Sequence, residues 1–177
     1  MPTDAGTVEV GLVPVAEADR TTLADLLQLH LQDMSEVRGT GATARGTFPY
    51  PYFDAYFGEA GREACLVTAD GDVAGFSMTR RLPDGSREMS EFFVLRRHRR
   101  RGVGGRAAAA VLRRHPGPWT LCFDHANHAA ARFWPGVVSR AAAGPVHRRD
   151  RLPPDVAHAS ACLRFDVRPA GAAGGLA

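Results

Sequence analysis

Two groups of residues in this sequence could do chemistry, and they are adjacent. One is the run Arg96-Arg97-His98-Arg99-Arg100-Arg101-Gly102-Val103-Gly104-Gly105-Arg106, where glycines sit among guanidinium groups just ahead of Ala107 to Leu112. Glycines let backbone N–H groups converge, and a helix start adds unpaired N–H groups and the positive end of its dipole, so the run suits a phosphate or another anion. The other is a pair of carboxylates just upstream, Glu88 and Glu91, in an apolar run that continues Phe92-Phe93-Val94-Leu95. A carboxylate inside an apolar strand is costly unless it is paired or takes up protons from a reacting group. The competing readings are a solvated helix cap for the first group and an ion pair with an arginine for the second.

Other phosphate loops fit poorly. A Walker loop needs a lysine and this chain has none, while the dinucleotide fingerprint fits only in its relaxed form, with Ala107 in the last glycine position. Arg99 to Gly104 reads R-x-x-G-x-G after a strand ending at Val94. This resembles the acyl-CoA loop of the GNAT superfamily of N-acyltransferases. A second stretch, Asn127, Ala130 and Phe133-Trp134, resembles the family pattern N-x-x-A-x-x-F-Y.

The resemblance implies an acetyl-CoA-dependent N-acetyltransferase acting on a primary amine of a small molecule or peptide. Backbone groups at Phe93, Val94 and Leu95 would hold pantetheine. The loop Arg99, Arg100, Arg101, Gly102, Val103, Gly104, Gly105 and Arg106 would hold the pyrophosphate, with Asn127 and Phe133 completing the coenzyme site. Glu88 or Glu91 would act as base through water. Strand alternation places these two on opposite faces unless a bulge intervenes. Where many relatives carry a tyrosine acid, this chain has Trp134, whose indole N–H is no acid. The acid is left open among Tyr50, Tyr52, Tyr56, His125 and solvent.

The elements that must position these groups read as a mixed α/β domain. A strand over Val8 to Val15 precedes a helix to about Met34, whose apolar stripe carries His30 as a packed core-edge residue. Phe48 to Phe57 reads as a short aromatic helix or lid. Asp70-Gly71-Asp72 joins strands over Glu63 to Ala69 and Val73 to Leu82, and Pro83 to Ser86 turns into the strand at Glu88 to Leu95. A helix then stops at His115-Pro116, a strand covers Trp119 to Asp124, and a short helix runs from Asn127 to Trp134, ended by Pro135-Gly136. Two strands, Val146 to Leu152 and Ser160 to Val167, close the chain. The resemblance implies one GNAT-like domain over residues 1–168, a mostly antiparallel mixed sheet with splayed central strands flanked by helices, followed by a flexible tail over 169–177.

Composition bounds the rest. The 177 residues suit one core, and no apolar run reaches transmembrane length, so a cytoplasmic enzyme without a membrane partner is expected. Exclusive use of Arg, absence of Ile and abundant Ala, Gly and Pro suggest a GC-rich bacterial genome. Cys65, Cys122 and Cys162 are odd in number and widely spaced, and read as buried thiols. Asp124, His125 and His128 lack the ligand spacing of a metal site, and no metal is expected. Residues 1–91 hold 7 Arg against 15 acids, net −8, and residues 92–177 hold 15 Arg against 4, net +11. A cationic second half suits an anionic coenzyme, and an acidic first half suits an amine and would repel nucleic acid. Two readings compete with the enzyme: an acyl-CoA-binding sensor of the same fold and, less well supported, a basic nucleic-acid module. Oligomeric state is open, with a homodimer as the assembly considered.

Overall fold

The computed structural model describes residues 7–151 and 160–169, so the expected tail lies almost wholly outside the described residues. β1 (Val10–Pro14) leads through a 3-10 turn into α1 (Arg20–Arg38), which runs past the expected end and stops where Gly39 takes φ 65°. Ser35 to Arg38 still tolerate helix, whereas Gly39 is the first residue for which the left-handed cap is cheap. The aromatic stretch yields only one helical turn, α2 (Ala55–Gly58). Pro49 and Pro51 remove the donors a longer helix would need. β2 (Arg62–Ala69) and β3 (Asp72–Arg81) form the expected hairpin, its corner made by Asp70 and Gly71 at φ 53° and 86°.

β4 (Arg87–Val94) is followed by a 3-10 turn and α3 (Val103–Arg114), so Gly104 and Gly105 lie inside the first helical turn and not ahead of it. β5 (Gly117–Asp124) precedes α4 (His128–Ala141), which continues through Pro135 instead of ending there. The lost hydrogen bond and ring clash cost about 3 kcal/mol. Burial of Trp134, Val137 and Val138 on the same helix outweighs it, at roughly 1.5–3 kcal/mol per side chain. β6 (His147–Arg151) and β7 (Ser160–Val167) complete the sheet.

The seven strands lie in the order β1-β2-β3-β4-β5-β7-β6, antiparallel except for the β4–β5 pair. That pair holds only from Arg87↔Trp119 to Met89↔Leu121. Beyond Met89 the two strands part, and the opening between them is the feature that positions the site. α3 and α4 cover one face of the sheet over Met89, Leu121, Phe123 and Leu163, while α1 and α2 cover the other over Leu66, Phe76, Met78 and Phe93.

Two details of strand register matter. In β4 the pairing steps from Thr79↔Met89 to Met78↔Glu91, which makes Ser90 a bulge residue. The extra residue resets the alternation, so Glu88 and Glu91 share the α1 face. In β5 and β7, Cys122 stands opposite Cys162, with a Cα–Cα distance of 4.0 Å, and the two form a disulfide. This corrects the reading of three thiols, which fits only the buried Cys65. A separation of 40 residues gives no hint of pairing; the register of two strands does.

Gly75 of β3 sits close against the backbone of β4. A Cβ there would overlap the carbonyl of Phe93 on β4. Gly75→Ala is therefore expected to destabilise the fold by about 1–3 kcal/mol, read as a lower urea midpoint at unchanged m.

Candidate active site

Each wall of the opening between β4 and β5 carries its own chemistry. Between α1 on one side and α3 and α4 on the other lies a cleft of about 620 Å³, lined in part by His30, Asp33, Met34 and Val37 of α1. Its lining includes Phe93, Val94, Arg99, Arg100, Gly102, Gly104, Gly105, Asn127 and Phe133, nine of the residues expected to hold the coenzyme. Leu95, Arg101, Val103 and Arg106 do not line it. Val103 is fully buried core, Leu95 packs beside Phe76 and Phe93, and Arg106 turns back to donate to the Arg101 carbonyl at 3.2 Å.

The loop is built to expose backbone. Gly102, the residue preceding α3, takes φ 76°, and Arg100 takes φ 63°, a left-handed conformation that costs a non-glycine residue of order 1 kcal/mol. The first turn of α3 has no side-chain cap, so its N–H groups are left for a ligand. Asp33 of α1 pins the loop, accepting from Arg96 and Arg99 at 2.7 and 2.8 Å. Burial raises the Asp33 pKa, but hydrogen bonds from Arg99 and Arg96 outweigh it and hold the group below the usual carboxylate range. Arg99 also donates through Nε to the Val94 carbonyl at 2.7 Å, tying the loop to the end of β4. Burial, followed by the neighbouring Arg97 and Arg101, lowers the pKa of His98 and favours its neutral form.

A smaller cavity, about 110 Å³, lies at the same opening. Its lining includes Ser90, Glu91, Cys122, Asp124 and Arg38, and it shares His30, Met34, Phe92, Asn127, Ala130 and Trp134 with the cleft. Glu91 accepts a hydrogen bond from His30 Nε2 at 2.8 Å, and the two side chains are 18% and 11% exposed. His30 packs edge-on against Phe76 and tilted against Phe93. Glu88 lines neither cavity and pairs with Arg80 on the neighbouring strand. The bulge thus gives the two carboxylates one face, but only Glu91 lies beyond the point where β4 and β5 separate.

His30 is the packed core-edge residue expected from its place on an apolar helix stripe, and that pattern carries no sign of the carboxylate across the interface. The candidate acids separate clearly. Tyr52 is exposed, Tyr56 is buried, and His125 stands 3.5 Å from Asp150. Tyr50 is half-buried, and burial, then the Glu91 carboxylate and Tyr56, push its pKa well above the usual phenol value. Trp134 is buried against Phe92 and Phe133, serving as cavity wall. Asn127 both caps α4, accepting from Ala130 N at 3.0 Å, and lines both cavities.

The fold is shared with solved acetyltransferases. The ribosomal-protein-S18-alanine N-acetyltransferase of Escherichia coli is 17% identical at a TM-score of 0.56, over 95% of this chain and 100% of that one. Spermidine N-acetyltransferase from Vibrio cholerae, solved with CoA and spermine, is 11% identical at 0.66, over 89% and 95%. An acetyltransferase from Bacillus anthracis in complex with acetyl coenzyme A is 12% identical at 0.59, over 90% and 99%. No curated protein matches the sequence. Among the described residues no helix is long and apolar enough to cross a membrane. A model of the Acetyltransferase (GNAT) family, whose co-substrate is acetyl-CoA, matches residues 23–135, which takes in most of α1, the glycine loop, Glu91 and Asn127. This chain belongs to that acetyltransferase family.

Proposed function

We propose that the protein transfers the acetyl group of acetyl-CoA directly to the primary amine of a small molecule or peptide, with Glu91 as the base. The observation that carries this reading is the meeting of two cavities at the β4–β5 opening, one rich in backbone N–H donors and arginine, the other holding a carboxylate. The cleft suits the phosphates at the start of α3 and the apolar arm along Phe93 and Val94. The small cavity suits an amine. The amine nitrogen attacks the thioester carbonyl, a C–N bond forms, and the C–S bond breaks with its electron pair leaving on sulfur. The proton lost from nitrogen passes to Glu91, directly or through water. His30, bonded to Glu91 and facing both cavities, relays a proton to the departing thiolate, the role that Trp134 cannot fill.

Thermal unfolding with and without acetyl-CoA, in moderate salt, tests the reading. At 100 times its dissociation constant the ligand adds about 2.7 kcal/mol of stability. A clear rise with acetyl-CoA and none with ATP at equal concentration is expected. No rise from a folded sample would remove the coenzyme assignment. Turnover on a panel of amines then separates the enzyme from a sensor that only binds acyl-CoA.

A further inference from the structure

At about 110 Å³ the smaller cavity is under a fifth of the 620 Å³ cleft and takes only the reactive end of an acceptor. The rest of any acceptor lies on the surface around the mouth, and that surface selects it. Strand register identifies the surface. Met89 and Leu121 face α3 and α4, so Thr120, Cys122 and Asp124 face the other side of the sheet. Antiparallel partners share a face. The face therefore continues to Ser160, Cys162 and Arg164 of β7, and to His147, Arg149 and Arg151 of β6. The Cys122–Cys162 bond lies on it. α1 and α2 cover this face over β2, β3 and β4, whereas every residue of the edge strand β6 is exposed.

The open part is cationic. Arg149 and Arg151 stand two positions apart, about 6.7 Å along the strand, on the same face as His147. No ion pair among the described residues uses Arg149 or Arg151, while Arg164 is paired with Asp84. Arg148 and Asp150 belong to the opposite face, where Asp150 meets Arg148 and His125. Asp166 shares the cationic face but stands opposite Pro118, away from the cavity. Arg149 is level with Cys162 and Cys122, and Arg151 with Ser160 and Asp124. Both arginines thus stand two strands, about 10 Å, from residues that line the cavity.

An extended peptide crosses that distance in about three residues and repeats its side chains on one face at the same spacing of about 6.7 Å. A compact small molecule would engage one cation at most, and a polyamine would be repelled. We propose that the acceptor is a peptide with acidic residues a few positions from the reactive amine, lying extended across β7 and β6. This rests on the acetyltransferase reading above and names the substrate class of the same site.

Two synthetic peptides of equal length and identical N-terminal residue, carrying Glu or Lys at their third and fifth positions, test it. They are compared with spermidine as acceptors for the wild type and for an Arg149→Glu/Arg151→Glu double variant, by release of coenzyme A thiol. For the wild type, kcat/KM is expected to be at least about tenfold higher with the Glu peptide, and the difference to shrink with added salt. The double variant, altered only at exposed positions, is expected to reverse the preference and keep its stabilisation by acetyl-CoA. Equal use of the peptides, preference for the Lys peptide or spermidine, or an unchanged preference in the double variant would overturn the proposal. So would a dimer that the double variant converts to monomer, since a second copy would then occupy the face. Failure to acetylate either peptide, in protein still stabilised by acetyl-CoA, overturns the peptide assignment alone. Loss of that stabilisation in the wild type removes the reading beneath it.

Discussion

Glu91→Gln is expected to lower kcat by about 10²–10⁴-fold, the range lost with a positioned general base. Glutamine keeps the size of the side chain and an oxygen that can accept from His30 Nε2, so the packing of α1 on β4 is preserved. What disappears is the capacity to take the amine proton. Because Glu91 lines the small cavity and not the larger cleft proposed to hold the coenzyme, the loss falls on kcat while acetyl-CoA binding stays close to wild type. Glu88→Gln is the matched control. It breaks the pair with Arg80 before the strands separate, and turnover is expected to stay within a few-fold. Steady-state kinetics at saturating acetyl-CoA decide between the two. Full activity in Glu91→Gln together with loss in Glu88→Gln would reverse the assignment.

Gly105→Glu is expected to weaken acetyl-CoA binding by at least about 100-fold, about 2.8 kcal/mol, without harming the fold. A Cβ at Gly105 meets nothing within 4 Å, and the residue lines the coenzyme cleft, so the new side chain projects into open space and not into the core. A carboxylate in the first turn of α3 gains about 0.3–1 kcal/mol from the helix dipole. The same carboxylate occupies the anion site and repels phosphate. Ligand-free stability is therefore maintained while the thermal shift with acetyl-CoA is lost. Calorimetric titration measures the affinity directly. Near-normal binding by this variant would move the pyrophosphate away from the start of α3. Arg99 makes a poorer probe, since its bonds to Asp33 and the Val94 carbonyl mix loop structure with ligand contact.

Much of this was legible in the sequence because it is local. The hairpin at Asp70-Gly71, the buried strand before the glycine loop and the uncapped start of α3 depend on residues a few positions apart, as do the two family motifs. Element ends were less legible where packing overrides propensity. Pro135 marks a stop by its own chemistry, yet α4 passes through it because Val137 and Val138 are buried beyond.

The sequence by itself determined the order of elements, the glycine-rich basic loop before α3 and the presence of two acidic candidates ahead of it. Only the tertiary structure separates the two in space, since one bulge at Ser90 gives them a common face and the end of β4–β5 pairing leaves Glu91 alone at the opening. It also joined His30 to Glu91 across 61 positions and Cys122 to Cys162 across 40, and aligned Arg149 and Arg151 with Cys122 and Asp124 of the smaller cavity. Each of these depends on strand register or on the docking of a helix. Such contacts are set by the summed burial of many side chains, and no spacing in the sequence encodes them.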